Sequence, residues 1–75
     1  MTKQEMRKLR INLVKEMHLY VIDTGDEELY DCWFAEGVPD DPSEEDFEFF
    51  ADEHSFKELC ELFGKLMDIN EREDY

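Results

Sequence analysis

The stretch HLYVIDTGDEELYDCWFA, residues 18–35, decides the fold. Leu19-Tyr20-Val21-Ile22 and the run from Leu29 to Ala35 are rich in β-branched and aromatic residues, which suit a pleated, half-buried surface. Between them Asp23-Thr24-Gly25-Asp26 is a cluster of turn-forming residues. Two short runs separated in this way, the second closed by Gly37 and Pro39, predict a β-hairpin with its loop around Thr24–Glu28. On the second strand Tyr30, Cys32 and Phe34 would share one face and Leu29, Asp31 and Trp33 the other, with Trp33 near the rim of a contact surface.

Helices are expected on either side. Thr2 and Glu5 have the spacing of a capping box, and Met6, Leu9, Leu13 and Met17 recur at helical period, so a helix is predicted over residues 3–17. Leu9, Ile11 and Leu13 also alternate, which admits a strand beginning near Lys8. Beyond the hairpin, Asp41-Pro42 offers a helix entry. Asp41, Glu44, Glu45, Glu48 and Asp52 then gather on one side of a helical wheel, with Phe47, Phe50 and Ala51 opposite, which predicts a helix over 42–52. Ser55 and Glu58 form a second capping box ahead of Phe56, Leu59, Cys60, Phe63, Leu66 and Met67, a wide core-facing stripe. Gly64 within that stripe suggests close approach by another element, and residues 70–75 should fray. The expected architecture is a small single α+β domain over 1–75, in the order α-β-β-α-α, with the hairpin packed on the helices.

The charge is lopsided. The 75 residues hold 22 Asp and Glu against 8 Lys and Arg, a formal net charge of -14. Residues 1–15 contain Lys3, Arg7, Lys8, Arg10 and Lys15 against Glu5 alone, whereas residues 16–56 contain fifteen acids and no Lys or Arg. That separation predicts either internal charge pairing or a dipole presented to a partner. So negative a surface repels phosphate, which argues against direct binding to nucleic acid or an anionic membrane. With 41% hydrophobic residues the chain is nevertheless too apolar for a disordered acidic tail.

Catalytic and metal chemistry find little footing. Cys32 and Cys60 allow at most one bridge and read as small buried hydrophobes in a reducing compartment. No apolar run resembles a signal peptide or a membrane span, so the expected location is the cytoplasm. His18 and His54 sit in no catalytic arrangement, Ser43 and Ser55 lack a nucleophile-elbow context, and three scattered glycines make no phosphate loop. The acids around Gly25 do not fit a calcium loop, and the Cys and His spacing does not fit zinc. The expectation is a non-enzyme without cofactor or metal.

What stands out is the excess of acid. Solubility is met by a net charge of magnitude roughly 2–8, and self-repulsion beyond that costs stability in a chain with little core. The excess predicts a surface for a basic protein, above all a nucleic-acid-binding enzyme. Asp40, Asp41, Glu44, Glu45, Glu48 and Asp52 would supply a phosphate-like field, Asp26, Glu27 and Glu28 would extend it, and Trp33, Tyr30 or Phe49 would anchor it. In size and charge the chain resembles, in kind only, the small acidic inhibitors of phages and mobile elements, including DNA mimics that block restriction, CRISPR or repair enzymes. No motif carries that resemblance and it assigns no residues. The leading expectation is an inhibitor that occupies the nucleic-acid groove of a basic partner. An acidic adaptor or immunity-type protein without mimicry, or a homodimer pairing the basic helix of one chain with the acidic helix of the other, stand beside it. Crowding among the acids of residues 40–53 should raise their pKa values.

Overall fold

The computed structural model describes residues 1–39 and 41–72, and among these helix is the only regular secondary structure, without a strand. Four helices follow one another: α1 (Lys3–Thr24), α2 (Glu27–Ala35), α3 (Glu44–Glu53) and α4 (Phe56–Arg72). The α+β fold and its hairpin are therefore corrected to an all-α fold. The first expected strand is the last part of α1, and the second is α2.

Period explains the correction. Val14, Met17 and Val21 are fully buried along α1, at spacings of three and four, so the helical stripe runs straight through Leu19–Ile22. Leu29 and Trp33, four apart, are the buried residues of α2. Strand propensity spans only about 1 kcal/mol in a host protein and yields to a packed face of the other period. The turn cluster is equally ambiguous in chemistry. Gly25 takes the left-handed conformation at φ 63° and donates its N–H to Val21 O at 3.3 Å, closing α1. Asp26 follows at once as the N-cap of α2, its Oδ1 accepting from Glu28 N at 2.8 Å and Leu29 N at 3.3 Å. A helix stop and a helix start, placed side by side, use the same residues as a hairpin loop.

The capping boxes hold as read. Thr2 Oγ1 accepts from Glu5 N at 3.1 Å, and Glu5 answers at Thr2 N. Ser55 and Glu58 exchange the same pair at 3.2 and 3.0 Å. At α3 the cap is Ser43, boxed with Asp46, so the helix begins two residues after Pro42.

Helix α1 packs against each of the other three, and α2 also packs on α4. The core joins Val14, Met17, Val21, Leu29, Trp33, Phe50, Ala51, Leu59 and Leu66, with Val38 plugging it from the α2–α3 connection. Trp33 is completely buried at its centre, so its expected place at a rim is corrected. On α4, Leu59 and Leu66 are the fully buried residues; Phe63 is half-buried and packs on Tyr20, with ring centroids 5.5 Å apart. A Cβ built on Gly64 would meet nothing within 4 Å, so no element approaches it. Cys32 is half-buried and Cys60 exposed, both as free thiols, against the expectation that they fill the core. Of the expected frayed tail, residues 70–72 continue α4 and the rest lies outside the described residues.

Candidate protein-binding surface

Helix α3 presents two acidic stripes, each with a period of four. The first, Glu44, Glu48 and Asp52, faces α1. Arg7 grips Asp52 bidentately, Nε to Oδ1 at 2.8 Å and Nη2 to Oδ2 at 3.0 Å. Lys15 pairs with Glu44 at the other end. Arg7 and Lys15 are eight residues apart, as are Glu44 and Asp52, and the crossed order of the pairs shows that α1 and α3 run antiparallel. Arg10 reinforces the contact by donating Nε–H to Ala51 O at 3.2 Å and lying 4.0 Å from Asp52. Glu48 lines the open groove between the helices, beside Lys8 and Ile11. The internal charge pairing allowed by the sequence is thus realised, and Arg7, Arg10 and Lys15 of the first helix meet acids of α3 within one chain.

Pairing also sets the ionisation. The hydrogen bonds from Arg7 hold the Asp52 carboxyl below the usual carboxylate range, and Asp52 raises the Arg7 guanidinium in return. For Asp52 this reverses the expected upward shift. Glu58 is likewise held low, by hydrogen bonds from the Ser55 backbone and side chain.

The second stripe is Glu45, Phe49 and Glu53, and it faces outward. All three side chains are exposed, Phe49 at 68%, and Asp46 is exposed beside them. No Lys or Arg occurs between residues 16 and 56, so neither α2 nor α3 has a cation of its own to neutralise this face. Glu27 and Glu28 are exposed on the first turn of α2, where negative charge suits the helix dipole. Asp41 is exposed in the α2–α3 connection, and Asp40 lies outside the described residues.

The expected binding residues therefore divide. Glu27, Glu28, Asp41 and Glu45 stand free on the surface. Asp26 is engaged as a cap, Glu44 and Asp52 are engaged with α1, Glu48 is half-buried in the groove, and Trp33 is core. Of the aromatic anchors, Phe49 is exposed and Tyr30 half-buried against Phe34. Reading α3 as one acidic face missed its division into two stripes, although the matching eight-residue spacing of Arg7 and Lys15 was there to find. Among the described residues no three His, Cys, Asp or Glu side chains converge to hold a metal, and no helix is long and apolar enough to cross a membrane. Comparison with protein-family models, curated proteins and solved structures gives no match for this chain.

Proposed function

We propose that this chain is an acidic protein-binding inhibitor that docks in the nucleic-acid groove of a basic partner through the outer face of α3. The observation that carries this reading is an exposed phenylalanine set between carboxylates on a helix with no cation of its own: Phe49 between Glu45 and Glu53. An aromatic side chain supplies the apolar anchor on which interface energy concentrates, and the surrounding charge steers the encounter. Glu27, Glu28 and Asp41 add to the field. The net charge of -14 opposes direct contact with nucleic acid, and the proposed setting is the cytoplasm.

The adaptor reading keeps a specific support. With Glu44 and Asp52 turned toward α1, the outward run of acids is shorter than a mimic of several successive phosphates would use. The homodimer reading loses its main support, since the complementary charges meet inside one chain.

Partners captured on the immobilised chain provide the test, using wild type beside a triple variant, Glu45→Lys, Phe49→Ala and Glu53→Lys. The fold of the variant should be intact by circular dichroism, because all three positions point away from the core. Its partner should be lost, and wild-type association should slow as salt rises. A DNA or RNA oligonucleotide should displace the chain from the wild-type complex. Equal capture by the variant would overturn the proposed surface. A partner that holds the chain and nucleic acid together would establish the adaptor instead.

A further inference from the structure

Trp33 is the sole tryptophan of the chain, and its buried indole Nε1 donates to His18 Nδ1 at 3.1 Å. An indole N–H can only donate, so the bond exists only while His18 Nδ1 carries no proton. The imidazole is held edge-on against Phe47 of α3 at 5.5 Å, and Trp33 in turn meets Phe50 of α3 at 5.5 Å. One ring thus ties α1 to α2 beneath α3.

The other side of His18 opens on a shallow groove. The charged groups there are Lys15 on its own helix, Asp41 from the α2–α3 connection and Glu44 from α3, while α2 presents Trp33. His54 has the opposite requirement. Its Nδ1 lies 2.9 Å from Phe50 O, a carbonyl that can only accept, so that nitrogen carries the proton and charging the ring leaves the bond in place.

We infer that the His18–Trp33 pair is a pH-sensitive latch: the neutral imidazole seats the indole, and the imidazolium lets it go and turns toward the carboxylates of Asp41 and Glu44. Two N–H groups cannot face each other at hydrogen-bond distance, and a buried donor left without an acceptor is destabilising. Burial lowers the His18 pKa from its usual 6.5, and Asp41 opposes that shift less strongly. The folded chain therefore takes up this proton at lower pH than the unfolded chain. The contribution to stability is complete above the unfolded value and is lost as pH falls through the folded one. The latch is independent of what the acidic surface binds.

Trp33 reports on it directly. Fluorescence and thermal melts at about pH 7.5 and about pH 5 should be compared for wild type, His18→Gln and His54→Gln, because glutamine offers an acceptor that does not titrate. Acidification should shift the wild-type emission and lower its melting temperature by several degrees relative to His18→Gln, with His54→Gln following the wild type. The same acid response in His18→Gln, or none in the wild type, overturns the latch. Should His18→Gln fail to fold, nitrogen NMR of the wild type decides. The Trp33 indole N–H must then shift with the same midpoint as His18, below 6.5, and separate midpoints overturn the proposal.

Discussion

Asp52 shows how one side chain can be misread from its neighbours in sequence. Glu48 and Glu53 surround it with like charge along α3, but Arg7, 45 positions away, meets both of its oxygens. An opposite charge in bidentate contact outweighs like charges that make no direct contact, and the carboxyl titrates lower instead of higher. The folded chain consequently gives up this contribution only in acid: it is complete above the unfolded pKa of 3.8 and is lost as pH falls through the lower folded value. The stability difference between wild type and Asp52→Asn should be constant above about pH 5 and shrink toward about pH 2.5. Urea denaturation across that range measures it. A difference that persists unchanged in acid would show that the side chain acts by packing, without help from its charge.

At the level of the helix, local signals and packing carry different weight. Thr2 and Ser55 fix where α1 and α4 begin because a cap and its N3 partner are three residues apart and need nothing else. Where α1 ends is another matter. Its stripe passes through residues that favour strands and stops only when Gly25 adopts the left-handed conformation. Gly64 offers a clean test within α4. It lies inside the helix, its missing Cβ would touch nothing, and glycine costs about 1 kcal/mol there relative to alanine. Gly64→Ala should raise stability by about that amount, read as a shift in the denaturation midpoint. A loss of stability would mean that a neighbour does press on this position.

Over the whole molecule, two electrostatic effects oppose one another. Salt weakens the contacts of Arg7 and Lys15 with α3, and it also screens the mutual repulsion of 22 acids against 8 bases. The ion pairs are few and largely exposed, whereas repulsion acts among all the carboxylates of a chain with maximal extents of 43 × 24 × 17 Å. At about 0.01 M salt the Debye length is about 30 Å, so charges interact across most of the fold; at about 0.1 M it is about 10 Å. Repulsion should win, and the melting temperature should rise as sodium chloride goes from about 0.01 M to about 0.3 M. A fall over that interval would put the α1–α3 pairs in command of stability.

The sequence by itself determined the features that rest on near neighbours. These are the starts of α1 and α4, the inward side of α3 at Phe47, Phe50 and Ala51, and the single-signed stretch from residue 16 to 56. The tertiary structure decided everything in which two distant segments compete for one residue. Leu19–Ile22 and Leu29–Ala35 are locally acceptable as strands, and only burial of Val21, Leu29 and Trp33 in the common core makes them helices. Burying one such side chain yields about 1.5–3 kcal/mol, more than the whole range of strand propensity. In the same way Glu44 and Asp52 look free until α1 lies antiparallel beside them, because an ion pair spanning 29 or 45 positions leaves no mark in either segment alone.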